Sequence, residues 1–201
     1  MNLKFFFLAF SVLFLAVLIV FVLFSSKGQE SQLCPIQIKT EIVHGSSMEP
    51  LIERGKEIKA LFGYYDCHSI KRNDIVLVNY SGNENFLIKI VKAVPGDEFH
   101  LQKAENGWCI VINGKILKNS EGVPYLLSKR RKKMLSLYEN DYQGIIPEGA
   151  YLVLGNIPSG SVDSTKFGLI GKSAIIAEVK FKRQFSNFLD SYLNSFYNIF
   201  K

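Results

Sequence analysis

Apolar and polar positions along this chain fall into three regimes, and each predicts a different kind of element. Over residues 5–24 every position but Ser11 is apolar. Wound as a helix at about 1.5 Å per residue, such a run is about 30 Å long, the thickness of a bilayer's hydrocarbon core. Bulky Leu23 and Phe24 lead into Ser25-Ser26-Lys27 with no small-residue cleavage site, so the segment reads as a retained N-terminal transmembrane helix and not as a removable leader. The anchor is assigned to residues 1–27.

From residue 28 to 180 the period shortens to two. Ile36, Ile38, Thr40 and Ile42 alternate with Gln37, Lys39 and Glu41, the pattern of a half-buried strand. Further strand-like runs occupy 58–62, 74–80, 86–94, 108–112, 115–117, 151–154 and 174–181, and Asn113-Gly114 between two of them signals a tight hairpin. Almost no helical period interrupts them, so the expected fold is mainly β, a coiled antiparallel β-sheet domain. Residues 118–145 break the rhythm and read as a basic surface insertion. Within it, Tyr125-Leu126-Leu127 and Met134-Leu135 fit either lipid contact or packing of the loop itself.

In the third regime, 181–201, Phe185, Phe188, Leu189, Tyr192, Leu193, Phe196, Tyr197 and Phe200 recur at helical spacing. They predict an amphipathic C-terminal helix. A place in the membrane interface and a place against the β-domain suit that pattern equally.

Composition narrows the classes. The net charge of +6 is concentrated in Lys129-Arg130-Arg131-Lys132-Lys133 and in Lys180, Lys182 and Arg183. No nucleic-acid motif accompanies these runs, so nucleic acid is not an expected partner. A bilayer is, since anionic headgroups attract basic residues near a membrane anchor; a plain solvated loop is the other reading of 129–133. The three cysteines, Cys34, Cys67 and Cys109, lack metal-ligand spacing. Cys34 and Cys67 are candidates for a disulfide in an extracytoplasmic domain, and Cys109 reads as a small buried residue.

The candidate chemistry lies on His44-Gly45-Ser46-Ser47-Met48-Glu49-Pro50, a polar bend that follows the first alternating strand. A serine there is held in the open but needs a base. Lys89, inside Leu87-Ile88-Lys89-Ile90-Val91, is the candidate, because a lysine in so apolar a run must lose its proton or find a partner.

In order and spacing, Ser-Met-x-Pro, then Ile-Lys with Pro95-Gly96-Asp97, then Gly155-Asn156 and Ser161-Val162-Asp163-Ser164 with Phe167-Gly168 resemble the boxes of the type I signal peptidases. The resemblance covers roughly residues 40–180. It implies a membrane-bound serine endopeptidase with a cytoplasmic N-terminus, a single pass through the plasma or inner membrane, and an extracytoplasmic β-rich domain. Ser47 matches that family's nucleophile and Lys89 its general base, the Ser-Lys variant of the serine–base pair. Ser46 is the rival hydroxyl. Ser161 would orient the lysine and Asp163 would brace it, while His44, His68 and His100 fall outside the family's base position. The implied substrates are exported preproteins with small residues before the cut. No metal or cofactor is implied, and the chain is expected to act as a monomer.

Several positions depart from the family pattern. Gly45 stands where many members carry a second serine that stabilises the oxyanion, Ile90 where an arginine follows the base, and Thr165 where an arginine pairs with the aspartate; Gly155-Asn156-Ile157 replaces the common Gly-Asp-Asn. A dedicated precursor peptidase of pilin type and a non-catalytic peptide-binding β-domain are the alternatives these departures leave. Self-cleaving repressors share the Ser-Lys pair but carry a DNA-binding domain, whereas this chain begins with an apolar span.

Overall fold

The structure, a computed structural model, describes residues 34–80 and 86–181 together with Leu189 and Leu193. The expected N-terminal span lies outside the described residues. So does most of the expected C-terminal helix, of which Leu189 and Leu193 are helical and exposed. Among the described residues no helix is long and apolar enough to cross a membrane.

Two antiparallel sheets form the domain. The larger has seven strands in the order β1-β2-β11-β3-β4-β9-β10. These are β1 (Gln37–Ile42), β2 (Glu57–Phe62), β3 (Ile75–Val78), β4 (Leu87–Ala93), β9 (Ala150–Leu154), β10 (Ile170–Gly171) and β11 (Ile175–Phe181). The smaller runs β5 (Phe99–Ala104), β6 (Gly107–Ile112) and β7 (Lys115–Ile116), with β8 (Leu126–Leu127) also on β6. Every pairing is antiparallel, so the mainly β expectation holds.

The turn chemistry accounts for the β6–β7 hairpin, where Ile112 pairs with Lys115. Its two linking residues, Asn113 at φ 49° and Gly114 at φ 73°, both take the left-handed conformation that a tight hairpin requires and that Asn-Gly tolerates.

Among the described residues, apolar clusters hold the sheets together. One joins the Ser47 turn to the large sheet through Val43, Met48, Ile58, Leu77, Ile90 and Val179. A second fills the space against the small sheet with Phe99, Ile110, Tyr125, Leu127, Leu135 and Leu152. Each such side chain contributes about 1.5–3 kcal/mol relative to an exposed one.

Two expectations change. Residues 118–145, read from the sequence as a surface insertion, carry β8 and a 13-residue helix, α2 (Lys129–Asp141), which follows the single turn α1 (Tyr64–Cys67). Tyr125, Leu127 and Leu135 are fully buried. The segment therefore contributes to the core, although Val123, Leu126, Leu137, Tyr142 and Ile145 remain exposed beside its polar positions. Its helical period was masked by the run of cations at the helix start, which carries no apolar position to mark an inner face. The half-buried character expected of β1 is also absent: all six residues of this edge strand are exposed, and neither of its isoleucines, Ile38 and Ile42, belongs to an apolar cluster among the described residues.

A disulfide joins Cys34 to Cys67 with Cα atoms 5.9 Å apart, tying the chain before β1 to α1. Cys109 is buried and free.

Candidate active site

Ser47 sits on a turn that its neighbours lock. Met48, 1% exposed, is driven into the core, and the main chain closes around it as Glu49 N donates to Ser46 O (3.0 Å) and Ile52 N to Met48 O (2.9 Å). The following Glu49–Pro50 peptide is cis. Burial of one side chain thus fixes the direction of the next. Ser47 is half-buried beside the groove, while Ser46 is exposed.

β4 delivers the partner. It is an interior strand, between β3 and β9, which explains the apolar run around Lys89. Lys89 is 1% exposed. Its Nζ lies 2.9 Å from Ser47 Oγ and donates at 2.8 Å to the Ile88 carbonyl. Burial lowers its pKa from 10.5 to about 8, partly offset by the Asp163 charge, which acts in the opposite sense. A second β4 lysine, Lys92, occupies the bulge opposite β9 and reaches the Lys118 carbonyl at 3.2 Å; burial lowers its pKa too.

Asp163 lies at the start of α3 (Ser164–Phe167), whose Thr165 N–H its carboxylate caps at 3.0 Å. It is 1% exposed and collects further donors: Thr165 Oγ1 at 2.6 Å on Oδ1, and Ser161 Oγ at 2.7 Å and Gly155 N at 3.2 Å on Oδ2. The next residue, Asn156, donates its N–H to the Ser47 carbonyl at 2.7 Å. One carboxylate therefore sets the end of β9, and the end of β9 holds the serine turn. Ser161 spends its hydroxyl on Asp163. Among the described residues, the hydrogen bonds of the Lys89 amine run to Ser47 and Ile88.

A groove of about 410 Å³ opens beside the pair, walled by Ile42 and Val43 from the β1 end and by Phe86, Leu87 and Ile88 from the start of β4. Extended backbone on both walls and apolar side chains between them suit an extended peptide. His44 and Gly45 also line it, and a Cβ added at Gly45 would meet nothing within 4 Å. His68 stacks on Tyr64 and His100 faces Glu139. Among the described residues no group of histidine, cysteine or carboxylate side chains is arranged to hold a metal ion.

The family model described as signal peptidase, peptidase S26 matches residues 3–183. The chain belongs to that family. Among its relatives, signal peptidase IB of Staphylococcus aureus (strain COL) is 26% identical over 151 residues, covering 70% of this chain and 74% of that protein. Signal peptidase I of Bacillus caldolyticus is 28% identical over 144 residues, with 70% and 76% covered. A crystal structure of a signal peptidase I from Enterococcus faecalis V583 superposes with a TM-score of 0.38 at 23% identity, over 55% of this chain and 97% of that one.

Within this signal peptidase family member, the sequence marks Gly155-Asn156 as one of its boxes, but the contacts these two residues make, and the part played by Arg131, escape a reading by sequence. Gly155 meets the serine turn through its backbone, and Asn156 through both its N–H and its side chain, whose Nδ2 donates to the Glu49 carbonyl at 3.1 Å. Arg131 comes from α2, 34 residues before the Thr165 it touches. A charge run at a helix start carries no mark of which cation turns inward.

Proposed function

We propose that this chain is a membrane-anchored serine endopeptidase that removes signal peptides from exported preproteins, with Ser47 as nucleophile and Lys89 as general base. The observation that carries the reading is the 2.9 Å approach of a fully buried lysine amine to the Ser47 hydroxyl. With a pKa of about 8, about a tenth of Lys89 is neutral at pH 7, against roughly three in ten thousand for an unperturbed lysine. Burial therefore supplies a few-hundredfold more base.

In the reactive form the neutral amine accepts the Ser47 proton as Oγ attacks the scissile carbonyl of a peptide lying in the groove. The ammonium so formed gives that proton to the departing amine, and an acyl-enzyme remains. Lys89 then takes a proton from water, which hydrolyses the ester and restores the pair. The Ser47 backbone N–H serves the oxyanion. Asp163 and Ser161 act in support by holding the Gly155–Asn156 backbone against the serine turn.

The apolar span over 5–24 would keep enzyme and membrane-inserted substrate in the same plane, a gain in effective concentration. Single-pass topology, a cytoplasmic N-terminus and an extracytoplasmic domain go with this, and the Cys34–Cys67 disulfide supports an oxidising compartment. The protein is expected to act as a monomer without a cofactor.

The test is cleavage of a preprotein bearing an Ala-x-Ala site by the detergent-solubilised chain, comparing wild type with Ser47→Ala and Lys89→Ala across about pH 6 to 10. Cleavage after the small residues, lost in both variants, is the expected result. A folded wild type that leaves such substrates intact, or an active Lys89→Ala, overturns the reading.

A further inference from the structure

The basic run that opens α2 does not behave as one surface. Lys129, Arg130 and Lys133 are exposed, but the Arg131 side chain is only 17% exposed and turns toward α3. Its Nη1 donates to Thr165 Oγ1 and lies 3.8 Å from Asp163 Oδ1. Space has been cleared for it. A Cβ on Gly160, which sits at φ 101°, would collide with the guanidinium. Further along α2, a Cβ on Gly168 would likewise collide with the Tyr138 ring. Two glycines thus receive two side chains of one helix, and the first of these is a cation delivered to the Asp163 carboxylate.

Asp163 is the hub of this arrangement. The charged and titratable groups that bear on it are Arg131 from α2, Lys89 from β4 and the Tyr125 phenol ahead of β8, which burial and then the Asp163 charge push up. From Arg131 the connection runs through Thr165 to Asp163, on to the N–H of Gly155, and through Asn156 to the Ser47 carbonyl. A carboxylate this deeply buried needs its charge compensated, and a guanidinium does so without losing its own.

We infer that Arg131 is a positioning residue of the reaction: seated over Gly160, it holds the Thr165–Asp163 pair in the arrangement that presses Gly155–Asn156 against the serine turn, and it offsets the negative charge facing Lys89. The inference rests on the Ser47–Lys89 reading above. Its sign is definite. The Asp163 charge raises the Lys89 pKa, so removing the cation that offsets it raises that pKa further and leaves less neutral base at a given pH.

The experiment measures kcat and KM for cleavage of the same preprotein, with full pH profiles and melting temperatures, for the full chain and its Arg131→Lys, Arg131→Met and Thr165→Val variants. In Arg131→Met the acid limb of the profile is expected to move up by about half a unit to one unit, with kcat at neutral pH down about tenfold and KM within about twofold. Arg131→Lys keeps most of the wild-type limb, because charge is retained. Thr165→Val, nearly the same shape but without the bridging hydroxyl, moves the limb in the same direction as Arg131→Met and decides the matter should that variant not fold.

A limb that stays in place in Arg131→Met and Thr165→Val, whatever happens to the melting temperature, overturns the inference and leaves Arg131 as a fastening of α2 alone. A Lys89→Ala variant that still cleaves refutes the Ser-Lys reading itself, and this inference with it.

Discussion

Lys89 Nζ and Ser47 Oγ stand 2.9 Å apart, although 42 residues separate them in the chain. The lysine comes from the interior of a seven-stranded sheet and the serine from a turn packed against it. Because the amine is buried and its pKa is lowered to about 8, cleavage should rise with pH through about 8 and level off above it. Initial rates at low substrate concentration, which report the free enzyme, check this. A limb near 10 would mean that the lysine titrates as if solvated.

The same burial costs stability. The folded pKa of Lys89 lies below its unfolded value of about 10.5, so the unfolded chain binds the extra proton and the native state is penalised below pH 8, with relief as pH rises from 8 to 10.5. Lys89→Met should therefore be inactive yet more stable than wild type at pH 7, by up to about 3 kcal/mol. The difference should shrink toward pH 10.5. Denaturant unfolding at both pH values measures it, and a Met variant that is less stable at pH 7 contradicts the account.

Gly155 has no room for a side chain. An added Cβ would lie 2.7 Å from the Ser47 carbonyl oxygen and would strike the Ser161 hydroxyl. Gly155→Ala should displace the serine turn and lower kcat about a hundredfold, as misplacements of about 1 Å do. Kinetics alongside a melting curve separate this from unfolding.

Gly45 presents the opposite case, since a Cβ there meets nothing within 4 Å and the residue lines the groove beside Ser47. Gly45→Ser should fold normally and raise kcat several-fold, up to about tenfold, by adding a hydroxyl donor for the oxyanion. An unchanged kcat would show that the oxyanion is already fully served.

The Cys34–Cys67 disulfide closes a loop with a sequence separation of 33. Replacing both cysteines with serine should remove about 3 to 4 kcal/mol of stability. It should leave the pH profile in place, because neither residue touches Asp163 or Lys89. Denaturant midpoints with and without a reductant test the first part, and the profile of the double variant tests the second.

Sequence alone determined the parts that depend on near neighbours. Strand-like apolar runs marked β2, β3, β4, β9 and β11, Asn113-Gly114 marked the hairpin, and the apolar run around Lys89 announced a buried amine, since a strand buried on both faces shows its burial in its own composition. The order of short boxes pointed to Ser47 as the partner. Tertiary structure alone decided which side chains complete the site. Ser161 turns to Asp163, Arg131 leaves its run of cations to join Thr165, Gly155 acts through its backbone and Asn156 through its N–H and its side-chain amide, and Tyr125 and Leu135 leave a basic stretch for the core. These outcomes rest on contacts between distant segments, where shape and charge are met by whatever the fold brings alongside. Local pattern records how a residue suits its neighbours in the chain, and carries no record of the partners that packing supplies.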